Sequence, residues 1–448
     1  MTDAWIVGGA LRDELLGRPV RDVDVAVVGD PAQAAREMAA SVRGPVFQLS
    51  EAFGAWRVID RRSDTVWDFS PLQGATIEED LAQRDFTVNA LARPLAGGDL
   101  VDPMGGLADI QSRTLRVLGP EAYERDPLRA LRLARFTSEL SFTPDPDTER
   151  LTRAAAPSTA RAAGERIFLE LRRLLITDGA LAGLRLADRL GVLEAVLPEL
   201  TALHGVEQSD YHHLDVYDHT LEVLNQQIQL ERRLGELFDE PERVQRVLDE
   251  PLSDELTRAQ ALRFGALLHD IGKPDTRDVL PNGRVTFMGH DKLGEQMVGD
   301  LSRRLRTSDR FARFVGSLTR HHLVLGFLVH EQPLDRTQVY RYLHRTAPTE
   351  VEVTLLSCAD RLATQGRKAD EATGKHLQLA RELMQAALDW REHGPPKVPV
   401  RGDELAGELG IEPGPELGRL LAGLEEAAYA GEATTREQAV ALARRLLA

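Results

Sequence analysis

The chain has 448 residues, of which 42% are hydrophobic and 28% are charged, so it is long enough for about three globular domains. This balance excludes a collagen-like, mucin-like or wholly disordered protein, and no apolar run approaches the roughly 20 residues that a membrane span needs. The net charge of −16 argues against a general nucleic-acid coat, although the total can hide a local basic surface. The N-terminus has no signal-peptide pattern, and the single cysteine, Cys358, excludes an internal disulfide framework. We therefore expect a cytoplasmic protein without a membrane partner.

The sequence pattern predicts strands mixed with helices over the first hundred residues and mainly helices over the rest. Short strands are expected at AWIVGG, VDVAVVG, PVFQLS, AWRVIDR and TVWDFS, and a longer helix is expected over IEEDLAQRDFTVNALA. From about residue 107 the pattern is helical, and a domain boundary is expected near VLPELTALHG. We predict a head over residues 1–106, a helical neck over 107–205, a histidine-bearing domain over 206–365 and a helical tail over 366–448.

A pair of carboxylates on the second predicted strand indicates a cation site. Asp22 and Asp24 are two residues apart, so a strand places both on one face, and Asp68 on another strand offers a third oxygen. Carboxylates this close repel each other unless a cation lies between them, and Mg²⁺ suits such oxygen ligands. The turn at Gly8 and Gly9 precedes a helix N-terminus, which is a natural anion site.

Arg12, one turn into that helix, adds positive charge that suits a triphosphate. The ordered stretch GGALRDELLGRPVRDVDV, followed by DLAQRDFTVNALA, DPMGGLADIQSRTLRVLG, ERDPLRALRLARF and GERIFLELRRLL, resembles five motifs of one family. These motifs are similar to those of class II tRNA nucleotidyltransferases and bacterial poly(A) polymerases. The resemblance covers about the first two hundred residues.

This resemblance implies an α+β head of the polymerase-β-like nucleotidyltransferase type, followed by a mostly α-helical neck. It implies that Asp22 and Asp24 hold the catalytic metal ions, with Asp68 as the third carboxylate. Two metals activate a 3′-hydroxyl and stabilise the leaving pyrophosphate in such reactions. The partners would be tRNA, CTP and ATP, and the residues that bind the nucleotide would be Gly8, Gly9, Arg12, Arg84, Asp85, Asn89, Asp126, Arg129 and Arg132.

Two of those residues would read the nucleobase. Asp126 accepts from an exocyclic amino group, and Arg129 donates to ring acceptors, which suits C and A. The i, i+3 spacing predicts that both lie on one face of a helix. The chain departs from the family at Gln83 and Arg125, where the family usually has Arg and Glu.

The third departure is a short segment between two motifs. Only the 15 residues FSPLQGATIEEDLAQ separate Asp68 from Arg84, whereas enzymes that add the whole CCA sequence usually carry a longer loop. The short form resembles enzymes that add only the two cytidines. Full CCA addition, CC addition and poly(A) synthesis therefore stay open.

A second set of residues has the order of ligands in a metal-dependent phosphohydrolase. The order H…HD…H…HH…D resembles the HD superfamily, which implies a divalent metal whose identity the sequence leaves open. The implied ligands are His219, His269, Asp270, His290, His321, His322 and Asp360, with a choice between the adjacent pair His321 and His322. Lys273 is predicted to contact the phosphate of a substrate.

The second set leaves an alternative from another class. The chain would then be mainly an HD phosphohydrolase whose head binds nucleotide or RNA without catalysis. The sequence does not indicate an oligomeric state.

Overall fold

The computed structural model describes residues 3–51, 54–208, 214–364 and 369–447. The chain divides into two compact units, Met1–Pro198 and Glu199–Ala448. None of the described helices is both long and apolar enough to cross a membrane.

The first unit begins with a mixed sheet of six strands in the order β3-β4-β5-β2-β1-β6. Strands β2 and β5 pair in parallel, and all other neighbours in this sheet are antiparallel. In chain order, the elements are β1 (Ala4–Val7), α1 (Gly9–Leu15), β2 (Asp22–Val27), α2 (Pro31–Val42), β3 (Val46–Ser50), β4 (Ala55–Asp60), β5 (Thr65–Pro71), α3 (Ile77–Leu81) and β6 (Ala92–Pro94).

The alternating pattern of β2 decides which face of the sheet carries the acidic residues. Val23 and Val25 are buried in the core with Phe69, and helix α2 packs on that side. Asp22 and Asp24 project from the opposite, exposed side. The Asp30 side chain caps α2 by accepting from the Ala32 N–H.

The helix predicted over residues 77–92 is wrong for most of its length. Helix α3 ends at Leu81, and only a 3₁₀ turn, Thr87–Asn89, follows before β6. The Asp85 carboxylate accepts from the Phe86 N–H and from the Asn89 amide, at 2.8 and 2.9 Å. Short polar side chains that bond the nearby backbone compete with helical hydrogen bonds, which explains the break.

The rest of the first unit is mainly helical, as the sequence predicts. Helix α6 packs against α8 and α9, and the buried ion pair Arg135–Glu170 joins α6 to α8 at 2.5 Å. The elements are α4 (Gly106–Ser112), β7 (Thr114–Leu115), α5 (Glu121–Arg125), α6 (Arg129–Leu140), β8 (Thr143–Pro144), α7 (Pro146–Ala155), α8 (Gly164–Leu175), α9 (Ala180–Arg189) and α10 (Val192–Val196), with α11 (Pro198–Thr201) at the boundary.

Over its described residues, the second unit is helical, with two short hairpins. Its elements are α12 (Val216–Arg232), α13 (Leu234–Leu237), α14 (Pro241–Leu248), β9 (Pro251–Ser253), β10 (Leu256–Thr257), α15 (Arg258–Leu268), α16 (Lys273–Thr276), β11 (Asp278–Val279), β12 (Val285–Thr286), α17 (His290–Leu305), α18 (Asp309–His321), α19 (Val324–Leu328), α20 (Arg336–Thr346), α21 (Glu350–Ala363), α22 (Ala369–His393), α23 (Gly402–Leu409), α24 (Pro415–Ala430) and α25 (Arg436–Leu447).

Helices α12, α15, α18 and α21 form the centre of this unit. Helix α22, which the sequence assigns to the tail, packs along α21 and so belongs to the same core. Helices α23 to α25 have a separate small core around Leu405, Leu424 and Ala443. The region after residue 366 is therefore not one uniform tail.

Candidate active sites

Three carboxylates lie on the exposed face of the head sheet. Asp24 on β2 is in register with Asp68 on the parallel strand β5, and Asp22 lies two residues before Asp24. Asp24 lies at the surface of the sheet, but desolvation by the surrounding protein raises the pKa of its carboxyl; Arg84 opposes this shift, and the charges of Asp68 and Asp22 add to it. A cluster of oxygen ligands with this mutual repulsion fits Mg²⁺.

The glycine turn before α1 lies directly beside a second motif. Gly8 adopts φ +74°, and a Cβ there would lie 2.6 Å from Nη1 of Arg84, so a side chain would collide with that guanidinium. Arg12 donates from Nη1 to the Asn89 Oδ1 at 2.6 Å. Residues 77 positions apart in sequence are thereby brought to one wall, together with Gly9.

Asp85 is the buried anchor of this wall. Its carboxylate pairs with Arg132 of α6 at 2.6 Å. Burial by itself would raise the pKa of Asp85, but Arg132, the Asn89 amide and the Phe86 N–H reverse the effect and lower it to about 2. Asp85 is therefore ionised at every physiological pH and fixes the direction of Arg132.

Asp126 and Arg129 line the same cavity, but not as two residues on one helix, so that prediction is wrong. Asp126 is an extended residue after α5, and Arg129 is the first residue of α6. Pro127 explains the difference, because the residue before a proline is pushed out of the helical region. Asp126 accepts from Arg166 at 2.7 Å, and Arg129 donates to the Gln83 and Arg84 carbonyls at 2.8 Å.

The cavity has a volume of about 640 Å³ and is lined mainly by charged side chains. Its cationic residues outnumber its acidic ones in a chain whose net charge is −16, so the total does hide a local basic surface. The arginines are Arg12, Arg18, Arg21, Arg84, Arg129, Arg132, Arg135 and Arg173, and the acidic residues are Asp13, Asp22, Asp24, Asp85, Asp126 and Glu139.

One residue that contacts one of the three carboxylates of the head is not among the site residues predicted from the sequence. Arg57 on β4 holds Asp68 through two hydrogen bonds, both of 2.7 Å. In the sequence, Arg57 lies on the predicted strand next to TVWDFS, the strand that carries Asp68. That position indicates a contact with Asp68 only when the pairing register of the two strands is known.

The second unit gathers its predicted ligands around one carboxylate. Two groups could each hold a metal ion: His219, His269 and Asp270 form one, and Asp270, His290 and His322 form the other. Asp270 Oδ2 lies 3.1 Å from His269 Nε2, and Oδ1 lies 3.4 Å from His290 Nε2 and 3.6 Å from that of His322. Asp270 is therefore shared between the two groups.

The imidazoles of this centre are oriented by the backbone. His269, His290 and His322 each place Nδ1 within 2.7 to 2.8 Å of the carbonyl oxygen three residues earlier, so Nε2 of each ring faces the carboxylate. Such a contact fixes the neutral tautomer that binds metals. The buried His269 Nε2 and both Asp270 oxygens lack a well-oriented hydrogen bond with any described residue, although Lys273 Nζ forms an ion pair with Asp270 Oδ2. A buried carboxylate that is surrounded by Nε2 atoms and lacks oriented donors fits a divalent cation.

Two further positions shape the same centre. Asp360 lies 3.0 Å from His219 Nε2, and burial would raise its pKa, but that histidine lowers it. A Cβ on Gly272 would lie 2.4 Å from the His290 carbonyl oxygen, so only glycine lets the start of α17 approach. The sequence HDIGKP thus positions His290 as well as supplying His269 and Asp270.

The adjacent histidines His321 and His322 separate clearly. His322 is fully buried within the second group, and burial lowers its pKa to about 3. His321 belongs to neither group, and its pKa is lowered to about 4 by burial, with Arg345 and Arg320 adding to the effect.

Lys273 points at the carboxylate, with its Nζ 2.6 Å from Asp270 Oδ2. A cavity of about 300 Å³ opens beside these residues and includes His376 of α22, which the sequence did not single out. Its Nε2 lies 3.1 Å from the Ser357 hydroxyl. The only sequence signal was a histidine in the first turns of a helix otherwise assigned to the tail.

Comparisons with known proteins find relatives of both units of the chain. The model of the poly A polymerase head domain matches residues 4–116, that of a probable RNA- and SrmB-binding site of polymerase A matches 141–203, and that of the HD domain matches 216–365. An A-adding tRNA nucleotidyltransferase of Deinococcus radiodurans is 37% identical, over 99% of this chain and 95% of that protein. A CC-adding tRNA nucleotidyltransferase of Thermus thermophilus is 34% identical, over 98% and 92%.

Among solved structures, a CCA-adding enzyme in complex with ATP has the same fold, with a TM-score of 0.67 at 20% identity, over 100% of this chain and 92% of that one. The fold and the site thus define a nucleotidyltransferase with a polymerase-β-like head, a helical body and an HD domain. The chain belongs to the tRNA nucleotidyltransferase family. The predicted fold class and the predicted enzyme class are confirmed.

Proposed function

We propose that this enzyme adds cytidine from CTP to the 3′ end of tRNA and stops after two additions. In the reaction, the terminal 3′-oxygen of the RNA bonds to the α-phosphorus of CTP, the bond to the β-phosphate oxygen breaks, and pyrophosphate leaves. The full-length relatives described above support a divided reaction, since each is named for one part of the CCA sequence. A cytoplasmic location is part of the proposal.

The observation that carries the CC assignment is the closed connection between β5 and α3. The Gln73 N–H donates to Asp80 Oδ1 at 2.9 Å, and the Ala75 N–H donates to Glu79 Oε2 at 2.7 Å. The Gln83 amide reaches back to the Gln73 carbonyl at 2.8 Å. The short segment is thereby bound to its own helix, and it leaves no projecting loop of the kind that enzymes adding the whole CCA sequence usually carry.

The residues of the head have distinct roles in this proposal. Asp22 and Asp24, with Asp68, would hold Mg²⁺, which supplies activation of the 3′-hydroxyl and charge for the leaving pyrophosphate. The arginines of the cavity bind the triphosphate, and those that face it are Arg12, Arg84 and Arg132. Asp85 keeps Arg132 in place, and Asn89 keeps Arg12 in place. Arg84 is held by Asp80.

The base would be read by Asp126 and Arg129. In the present arrangement, Arg166 and two backbone carbonyls occupy their polar groups. A cytosine offers an amino donor to Asp126 and ring acceptors to Arg129, so it would take the place of these internal partners. Uracil offers a carbonyl where the amino group is needed, which leaves the carboxylate without a donor and is disfavoured.

The second candidate is addition of the terminal A alone. The specific observation in its favour is the name of the relative that is 37% identical over nearly the whole chain. Adenine also carries an amino group beside a ring nitrogen, so the same two side chains would serve.

Three tRNA transcripts distinguish the candidates: one that lacks CCA, one that ends in C and one that ends in CC. A CC-adding enzyme extends the first by two residues with CTP alone and leaves the third unchanged with ATP. Extension of only the third transcript by one A would replace this proposal with A addition. Growth by three residues would indicate a full CCA enzyme, and repeated AMP incorporation would indicate a poly(A) polymerase.

We also propose that the second unit is a metal-dependent phosphohydrolase. The supporting observation is Asp270, whose two oxygens serve two histidine groups. One or two divalent ions would be held by Asp270 and its neighbours His219, His269, His290, His322 and Asp360. Such ions lower the pKa of water and polarise a phosphoryl oxygen. Lys273 would contact the phosphate when the substrate binds.

The test of the second unit uses p-nitrophenyl phosphate with Mn²⁺, Ni²⁺ or Mg²⁺ in the assay. Metal-dependent release of nitrophenol that the double variant His269→Ala, Asp270→Ala loses would support the proposal. Equal release by that variant would contradict it.

A further inference from the structure

A row of charged side chains crosses three strands of the head sheet. Arg57 on β4 lies directly opposite Asp68 on β5, and Asp68 lies directly opposite Asp24 on β2. In-register neighbours project from the same face of a sheet with their Cβ atoms about 5 Å apart. The row therefore runs from a guanidinium to a carboxylate and on to a second carboxylate.

The contact between Arg57 and Asp68 fixes both oxygens of the carboxylate. Nε donates to Oδ1 and Nη2 to Oδ2, both at 2.7 Å. This parallel pair sets the plane of the carboxylate as well as its charge, which a lysine at the same position does not do. The side chains are 34% and 27% exposed, so water only partly screens the pair.

An ion pair at this degree of exposure adds little to stability. Its position is the informative feature. Asp22, Asp24 and Asp68 together carry three negative charges on one face, and Arg57 closes the row at its outer end. The pKa of Arg57 is raised first by its hydrogen bonds to Asp68 and, against a lowering by desolvation, also by the charges of Asp22 and Asp24.

We propose that Arg57 is a positioning residue, which orients Asp68 so that this carboxylate turns an oxygen toward the cation held by Asp22 and Asp24. The inference rests on the proposed nucleotidyl transfer and gives Arg57 no contact with nucleotide or RNA. Its rival is a purely structural cross-strand pair, which would leave metal binding unchanged.

Two substitutions separate orientation from charge. Arg57→Lys keeps the charge and loses the paired hydrogen bonds, whereas Arg57→Gln loses both. Arg93→Lys is the matched control, because Arg93 makes an equally paired contact with Glu14 in the same unit, at 2.7 and 2.6 Å, away from the three carboxylates. Circular dichroism checks that each variant folds.

Mn²⁺ binding is measured by electron paramagnetic resonance on the full chain carrying His269→Ala and His322→Ala, which removes the competing groups of the second unit. We expect Arg57→Lys to weaken Mn²⁺ binding by about 10-fold, as for other residues that orient a metal ligand. Arg57→Gln should weaken it as well, and Arg93→Lys should not. With the second unit intact, the Mg²⁺ concentration for half-maximal nucleotide incorporation should rise similarly, while kcat at saturating Mg²⁺ stays within about twofold.

The opposite outcomes overturn the inference. Loss of a positive charge alone would strengthen cation binding, so unchanged or tighter Mn²⁺ binding in both variants would contradict a positioning role. Weaker binding in Arg57→Gln but not in Arg57→Lys would contradict orientation by the paired hydrogen bonds. The double variant Asp22→Ala, Asp24→Ala tests the proposed function itself, and if it still incorporates nucleotide, both the function and the inference fall. If Arg57→Gln does not fold, Arg57→Lys decides the matter alone.

Discussion

The two units hold acidic centres of opposite design. In the head, Asp22 and Asp24 stand on a strand, open to water, and their charge is balanced by arginines across a wide cavity. In the second unit, Asp270 is fully buried among imidazoles whose orientation the backbone fixes. Open oxygen ligands suit an ion that keeps some of its water and arrives with a triphosphate, whereas buried imidazoles suit a resident ion. The difference implies that each centre can be disabled without the other.

The largest expected effect is that of Asp24→Asn. The variant loses a carboxylate that would bind the cation in the head, and a metal ion is worth several kcal/mol of transition-state stabilisation, so nucleotide incorporation should fall about 1,000-fold. The metal content of the purified protein, measured by mass spectrometry, should not change. A simultaneous loss of metal from the protein would contradict the view that each centre can be disabled without the other.

Asp270→Asn should have the converse effect. The variant removes the carboxylate shared by both histidine groups, so bound metal should fall to a small fraction and affinity should drop about 100-fold. Nucleotide incorporation should stay within about twofold of the unaltered enzyme. Asp275→Asn is an exposed control nearby and should retain the metal. Loss of incorporation in Asp270→Asn, with a normal circular dichroism spectrum, would argue for one coupled site.

A smaller effect distinguishes the adjacent histidines. His322→Ala should weaken metal binding about 10-fold or more, because Nε2 of His322 faces Asp270 Oδ1. His321→Ala should leave metal binding within about twofold, since His321 lies outside both groups. Isothermal titration with Zn²⁺ measures both variants, and a reversed order would mean that the ligand is His321.

The last prediction concerns the stability of the fold rather than activity or metal binding, at a buried carboxylate elsewhere in the second unit. Burial raises the pKa of Glu350 from 4.5 to about 7. Between these pH values the folded state keeps a proton that the unfolded chain has lost, so stability falls as pH rises through this window. Glu350→Gln should therefore raise the free energy of unfolding at pH 8 by up to about 3 kcal/mol, which calorimetry detects as a higher Tm. At pH 4 the substitution should change the Tm little.

Calorimetry of Glu412→Gln, an exposed substitution in the same unit, provides the control for this effect. An equal gain in both variants, or a gain at pH 4 as large as at pH 8, would contradict a pKa of Glu350 that burial raises.

Much of the head was predictable because strand alternation is a local property. The pattern DVDVAVV fixes Asp22 and Asp24 on one face and Val23 and Val25 on the other, whatever the rest of the chain does. The role of Arg57 was not predictable, because it depends on which strands are neighbours and in which register. Pairing of distant strands is a tertiary property that no single segment encodes.

The second unit shows the same limit for helices. The order of its ligands is visible in the sequence, but the choice between His321 and His322 depends on the helical phase at the end of α18. The contribution of His376 depends on α22 packing along α21. For Asp126 and Arg129, the sequence does hold a local signal, because Pro127 disfavours a helical conformation at Asp126. The i, i+3 spacing alone predicts, wrongly, that both residues lie on one helix.

Asp80 links two features of the head, the segment that follows β5 and the arginine Arg84. One oxygen of its buried carboxylate accepts from the Gln73 N–H, and the other accepts from Arg84 at 2.9 and 3.1 Å. An insertion between Pro71 and Ile77 would pull Gln73 away from the Asp80 carboxylate. Of the two contacts described here, only the ion pair with Arg84 would then remain. A change in the length of this segment would then alter the position of Arg84, which would bind the incoming phosphates, so the two features would have to evolve together.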